Sequence, residues 1–190
     1  MKIKSILFFA IFLVIILIAG GVYLFIILRP KKETSLEPKI KGGNMKISSP
    51  AFENNGTIPA KYTCDGENIS PPLQFEGISK NAQSLTLIMD DPDAPAGTWI
   101  HWTVWNIDPK TQGFNEGSAP QGTVEGVTSF GSSGYGGPCP PSGTHRYFFK
   151  IYALNKKIDL SPQADKSKLE EVMNDHVLAK GELIGLYGRK

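Results

Sequence analysis

LTLIMDDPDAPAGTWIHWTVWNI, residues 85–107, predicts two buried β-strands joined by a short loop, and the rest of the domain is organised around this pair. Side chains alternate over residues 85–90, which indicates an extended segment. Two prolines in the DPDAP segment, residues 91–95, end that strand. Residues 99–107 are apolar on both faces, as is typical of a central strand. The segment therefore places His101 on a central strand, just after a loop that carries carboxylates.

Charge is distributed unevenly along the chain of 190 residues. Residues 1–45 hold seven Lys or Arg and two Asp or Glu, whereas residues 46–190 hold 13 and 16, a net charge of −3. The basic balance of the whole chain thus comes from its N-terminal segment. Because nucleic-acid-binding domains carry a basic patch, this pattern argues against nucleic acid as a partner.

Residues 6–28 form an uncharged apolar run that we predict to be a transmembrane helix. At the α-helical rise this run spans roughly 34 Å, enough to cross a hydrocarbon core of about 30 Å. A cleaved signal peptide is the alternative interpretation, although no clear cleavage site follows. Lysines flank the run on both sides and leave its orientation open, and the short N-terminal tail favours an extracytoplasmic domain. The predicted organisation is a membrane anchor over residues 1–28, a flexible tether over residues 29–45 and a folded domain over residues 46–190.

Patterns over the rest of the chain predict several strands and one helix. Residues 145–154 alternate as a strand. A capping box at residues 167–170 predicts a helix that ends at Gly181, and a last strand follows over residues 183–187. The predicted fold class is mainly β, a two-sheet antiparallel β-sandwich with a peripheral C-terminal helix, preceded by the N-terminal transmembrane helix.

Cys64 and Cys139 are the two cysteines of the chain. They could form a disulfide in an oxidising compartment, or they could be two free, buried thiols. No C-x-x-C occurs, and two thiols cannot hold zinc alone, so no metal and no cofactor are predicted.

Two histidines lie next to loops that are rich in proline or glycine. His101 follows the DPDAP segment, and His145 follows GGPCPPSGT, residues 136–144. If the two loops meet at one end of the sandwich, they gather carboxylates, imidazoles and backbone N–H groups that suit a small anion. Taken singly, each motif also has a structural interpretation, as a turn or as a core histidine. We interpret His176, on the apolar stripe of the predicted helix, as structural.

Taken together, three motifs closely resemble the phosphatidylethanolamine-binding protein family: DPDAP, WIH at residues 99–101 and YGGPCPPSGTHRY at residues 135–147. YTCDGENISPP at residues 62–72 and GELIGLYGR at residues 181–189 resemble its bacterial and archaeal Raf kinase inhibitor-like branch. The resemblance implies a β-sandwich with an anion pocket at one end. With Gly137 added for its backbone N–H, the predicted ligand-binding residues are Asp91, Trp99, His101, Tyr135, Gly137, Pro140, His145 and Tyr147. The residues predicted to support the site are Asp93, Pro95, Pro141 and Arg146.

The sequence thus predicts a non-catalytic, membrane-tethered binding module for a small anionic ligand such as phosphate or a phospholipid head group. Residues 6–28 would make the membrane contact, so the predicted localisation is a single-pass membrane protein. The first alternative is an inhibitor or regulator of a partner protein, a protease or a kinase, that acts through the loops at the pocket rim. The second is a phosphoester hydrolase, for which no nucleophile in a recognised motif is present.

Overall fold

The computed structural model describes residues 43–189, which form a mainly β fold. The elements, in chain order, are β1 (Lys46–Ser48), β2 (Gly56–Thr57), β3 (Leu73–Glu76), β4 (Ser84–Asp91), β5 (Trp99–Ile107), β6 (Gly113–Phe114), β7 (Val124–Glu125), β8 (Thr144–Leu154), α1 (Lys166–Met173) and β9 (Val177–Gly188). A short 3-10 turn covers Ala60–Tyr62.

The strands form two sheets. The smaller sheet has the order β1-β3-β6, and the larger sheet has the order β2-β9-β8-β4-β5-β7. Neighbouring strands of both sheets are antiparallel, except that β2 pairs parallel with β9. β4 lies between β5 and β8, and all eight of its residues are buried. The prediction of a buried central pair of strands over residues 85–107 is confirmed.

Both faces of the larger sheet are apolar, because each covers a separate core. One face packs against the smaller sheet through residues such as Leu87, Trp102 and Phe149. The other face packs under α1 through residues such as Trp105 and Tyr152. Two cores explain why β4 and β5 lack the polar face that a half-exposed strand would carry.

The C-terminal region differs from the prediction in where the helix ends. α1 begins after Asp165, whose side chain accepts a hydrogen bond from the Lys168 N–H, and it ends at Met173. Gly181 does not end a helix, because it lies inside β9 and pairs with Ile151. A Cβ at this position would lie 2.7 Å from the carbonyl oxygen of Met45, so close packing explains the glycine.

The predicted fold class and localisation need a correction. Both included a transmembrane helix, and no helix within residues 43–189 has the length and apolar character needed to span a bilayer. Helix α1 has eight residues, roughly 12 Å of helix against a hydrocarbon core of about 30 Å. Residues 1–28 and most of residues 29–45 lie outside the described residues. The fold class is therefore a mainly β fold with one C-terminal helix, and the prediction of a membrane-anchored protein is not retained.

Strand β5 departs from regular alternation at two points. Its pairing with β4 shifts register between Met89 and Asp90, so His101 has no partner of its own. A second shift accompanies Asn106, whose φ is +58°. A β-bulge turns consecutive residues toward one face of a sheet, and bulges often lie beside functional sites.

Candidate functional site

The two predicted loops meet at one end of the larger sheet, where β4 ends and β8 begins. Asp91 is the last residue of β4 and His145 is the second residue of β8. The Nδ1 atom of His145 lies 2.7 Å from Oδ2 of Asp91, and both side chains are almost fully buried. Since a carboxylate only accepts hydrogen bonds, the Nδ1 atom of His145 carries a proton and donates a hydrogen bond to Asp91.

The DPDAP loop is held in place by its two acidic residues. The second oxygen of Asp91, Oδ1, accepts a hydrogen bond from the Asp93 N–H at 2.8 Å. Asp93 in turn accepts from Nε and Nη2 of Arg146, at 2.8 and 2.6 Å, and from the Arg146 N–H. These bonds from Arg146 lower the pKa of Asp93 to about 2. Arg146 therefore ties the loop to β8 and faces away from His145, its neighbour in the strand.

His101 is held from the other loop. Its Nδ1 atom lies 2.6 Å from the carbonyl oxygen of Gly136, and the Gly136 N–H donates to the His101 carbonyl oxygen. Burial lowers the pKa of His101, so the neutral ring is favoured. A carbonyl oxygen only accepts, so the proton of the neutral ring lies on Nδ1, and Nε2 carries a lone pair.

Tyr147 lies beside His101, whereas Tyr135 packs against Trp102. The ring of Tyr147 packs edge-on against the His101 ring, with centroids 5.2 Å apart. Its hydroxyl is buried without a hydrogen-bond partner in the described part of the chain, and burial together with the nearby Asp91 charge raises its pKa. The Tyr135 hydroxyl donates to the Tyr62 carbonyl oxygen at 2.7 Å, so Tyr135 serves to connect two loops.

An aromatic residue that the sequence did not single out completes the rim. Phe130 packs edge-on against both Trp99 and His101, with centroid distances of 5.5 and 5.4 Å. It is 47% exposed, and among residues 43–189 it is the single large hydrophobic residue that is exposed. Phe130 lies in the Gly- and Ser-rich segment before Tyr135, and its local sequence carries no motif that would have indicated this contact.

The 135–144 loop is fixed by a disulfide and by side chains from the 62–72 segment. Cys64 and Cys139 are bonded, with an S–S distance of 2.08 Å, which settles the alternative left open by the sequence. Asn68 accepts a hydrogen bond from the Gly137 N–H at 2.8 Å. The N–H groups of Gly136 and Gly137 therefore already donate hydrogen bonds within the protein, to His101 and to Asn68. Neither of these two glycines offers the free backbone donor that was expected. Asn68 was missed because its partner lies 69 residues away in the chain.

The predicted prolines have different surroundings. Pro140 is buried beside the disulfide, whereas Pro95 and Pro141 are exposed. Little of the acidic and basic pair is open to solvent, since the side chains of His145 and Asp91 are only 9% and 4% exposed. No group of three or more potential metal ligands occurs within residues 43–189.

A family model described as phosphatidylethanolamine-binding protein matches residues 48–188, which include both loops of the site. The chain belongs to the phosphatidylethanolamine-binding protein family. Its curated relatives include UPF0098 proteins from Methanothermobacter thermautotrophicus and Pyrococcus horikoshii. The first is 51% identical and covers 76% of this chain and 99% of its own length. The second is 50% identical and covers 80% of this chain and 82% of its own length.

Two crystal structures of the phosphatidylethanolamine-binding protein family share this fold. A homolog from Chlamydia trachomatis is 40% identical with a TM-score of 0.75, and E. coli YbcL is 29% identical with a TM-score of 0.73. Each covers 78% of this chain and 100% of its own length. The resemblance predicted from the sequence motifs is thus confirmed.

Proposed function

We propose that this domain is a non-catalytic binding module for a small phosphorylated or otherwise anionic ligand, and that the ligand contacts His145 and His101. The single observation that carries the proposal is the buried Asp91–His145 pair, with its Nδ1 to Oδ2 distance of 2.7 Å. A carboxylate at Nδ1 stabilises the imidazolium, whose Nε2–H can then donate to an anion. Within residues 43–189 both rings make their hydrogen bonds through Nδ1, and neither Nε2 atom has a hydrogen-bond partner there.

The two imidazoles would serve different roles. Neutral His101 presents a lone pair at Nε2, so it accepts a hydrogen bond, whereas His145 would donate one from Nε2 when its ring binds the anion as an imidazolium. Hydrogen phosphate carries both negatively charged oxygens and a P–OH group at neutral pH, so it matches this pair. A phosphomonoester has largely lost its second proton at neutral pH, with a pKa of about 6, and its oxygens would accept from His145. Trp99 and Phe130 would give the pocket an apolar side, which suits the carbon-bearing part of an organic phosphate. The family name makes phosphoethanolamine a natural probe.

Two features support a non-catalytic role. Both cysteines are bonded to each other, so neither is a thiolate nucleophile. Within the described residues neither His101 nor His145 hydrogen-bonds to a serine or threonine hydroxyl, as an activated nucleophile would require. Hydrolysis of a panel of phosphomonoesters by the wild type, lost in His101→Ala, would contradict this part of the proposal.

Calorimetric titration of the full chain with phosphate and with phosphoethanolamine tests the binding site. We expect His145→Ala to weaken binding by about tenfold or more, because one charge-assisted hydrogen bond is lost. His176→Ala is the matched control, since this third histidine lies after α1 and contacts Asn155 instead. Equal binding by His145→Ala and the wild type, or no binding by the wild type, would refute the proposal.

A regulatory role through the pocket-rim loops is the second candidate, and the exposed ring of Phe130 favours it. Such a ring beside a ligand site could contact a partner protein. Recovery of a partner with the wild type and with His145→Ala, but not with Phe130→Ser, would favour regulation over ligand binding.

A further inference from the structure

A second concave site lies at the opposite end of the larger sheet. β4 runs from Ser84 to Asp91 and β8 begins at Thr144, so residues before β4, after β5 and after β8 lie away from the Asp91–His145 pair. A cavity of about 680 Å³ is lined mainly by residues from these three connections, together with Gln121 and Gly122 from the segment between β6 and β7. This volume lies within the range of roughly 300–1,000 Å³ that is typical of small-molecule sites.

Each of the three connections contributes a lysine to the lining: Lys80, Lys110 and Lys157. None of these lysines has a carboxylate partner in the described part of the chain. Of the seven other lysines of residues 43–189, Lys156 also has none, and the remaining six have one: Lys46, Lys61, Lys150, Lys166, Lys168 and Lys180. The cavity therefore gathers lysines whose charge is not neutralised, although the folded domain as a whole is acidic.

The connections that carry these lysines are held by hydrogen bonds. Asn106 donates to the Ile158 carbonyl oxygen and accepts from the Ile158 N–H, both at 2.8 Å, which fixes the turn after β8. Asp108 accepts from the Lys110 N–H at 2.8 Å. Asp108 is the acidic residue of the lining, and this bond uses one of its oxygens inside its own turn. The backbone around the cavity is thus organised before any ligand binds, which lowers the entropic cost of binding.

Part of the lining is apolar. Ile78 and Ala82 pack partly buried against the core, and Ile107 is fully buried beneath the cavity. A smaller cavity of about 470 Å³ adjoins the first and shares Ile78, Pro109 and Lys110 with it. A ligand with negative groups and a carbon-bearing body would match both parts of this surface.

We propose that this basic cleft, formed by Lys80, Lys110 and Lys157 around the cavity, binds a small polyanion that carries phosphate or carboxylate groups. It is separate from the Asp91–His145 site and does not depend on the function proposed there. The lysines are exposed, so each contact is weak and screened by salt. Several contacts together give measurable binding that falls steeply as the ionic strength rises.

Calorimetric titration of the full chain at low salt tests the proposal, with tripolyphosphate as the phosphate probe and citrate as the carboxylate probe. We expect at least one probe to bind. Lys110→Gln combined with Lys157→Gln should weaken that binding by about tenfold, taking roughly threefold for each exposed charge. Lys166→Gln combined with Lys168→Gln is the matched control, because it removes the same charge from α1. His145→Ala reports whether the probe binds at the other site.

The outcomes separate clearly. Binding that is lost in the cleft variant and kept in both the control variant and His145→Ala supports the proposal, and the preferred probe identifies the ligand chemistry. Loss in His145→Ala with full binding by the cleft variant overturns it, because the probe then binds beside Asp91. Equal weakening by the cleft and control variants also overturns it, since only net charge would matter. Absence of binding by either probe at millimolar concentration overturns it as well.

Discussion

Removing the Cys64–Cys139 disulfide should destabilise the domain strongly. The bond joins residues 75 positions apart, and the loop-entropy relation for that separation gives about 4.5 kcal/mol at 25 °C. Both cysteines are exposed, so serine at each position leaves no cavity and no buried polar group without a partner. The expected loss is therefore close to that of the cross-link alone, within the range of about 2–5 kcal/mol seen for native disulfides.

Urea unfolding of the wild type and of Cys64→Ser combined with Cys139→Ser measures this loss. Reduced wild type should unfold at the same urea concentration as the double variant, and a reducing agent should leave the double variant unchanged. A difference below about 1 kcal/mol between oxidised wild type and the variant would refute the loop-entropy reasoning. It would mean that residual structure already keeps the two loops close together in the reduced, unfolded chain.

The same substitution should also affect the candidate site, because the bond anchors the loop that holds His101. Gly136 accepts from His101 and Gly137 donates to Asn68, and both lie within three residues of Cys139. Phosphate affinity should fall several-fold in the double variant, without any change in the contacting side chains. Unchanged affinity would show that these hydrogen bonds suffice to hold the loop.

Three further predictions concern pH and packing. Asp93→Asn should cost about 1 kcal/mol of unfolding free energy at pH 7, discounted because Arg146 is half exposed. Because the pKa of Asp93 is lowered in the folded state, this difference in unfolding free energy is fully present above about pH 4 and is lost as the pH falls through about 2. Unfolding of both proteins at several pH values measures it. NMR titration should show that the His101 ring is still neutral when the pH has fallen past 6.5, the usual pKa of histidine. The free energy of unfolding should fall as the pH drops further, because His101 binds a proton more readily in the unfolded chain than in the folded one. Gly137→Ala should cost about 1–3 kcal/mol in thermal unfolding, since its Cβ would lie 2.5 Å from Asn68 Oδ1. A stability for Gly137→Ala equal to wild type would show that the two loops can separate freely.

Local patterns predicted the elements that depend on local chemistry. β5 occupies the predicted residues 99–107, and β8 begins one residue before the predicted strand at His145. Alternation also placed Arg146 on the face opposite His145, where it contacts Asp93. These predictions succeeded because successive side chains of a strand point to opposite faces, so the order of residues alone shows which of them share a face.

Two predictions were wrong because a partner distant in sequence decides the outcome. Strict alternation over residues 99–107 predicts that Trp105 and Ile107 lie on the same face of β5. The register shift at Asn106 instead places Ile107 in the core under the smaller sheet and Trp105 in the core under α1. Gly181 was interpreted as the end of a helix, although it is a strand residue that makes room for Met45. A glycine looks the same in the sequence whether a turn or a neighbouring backbone requires it.

By itself, the sequence of this protein determined the β-rich fold class, the buried central strands and the residue types at the candidate site, because hydrophobic period and turn chemistry are local properties. Only the tertiary structure decided that Asp91 contacts His145, that Cys64 bonds to Cys139, and that three lysines from separate turns share one cavity. Each of these joins residues from different strands or loops, and which groups become neighbours depends on the order and register of the strands in the sheet.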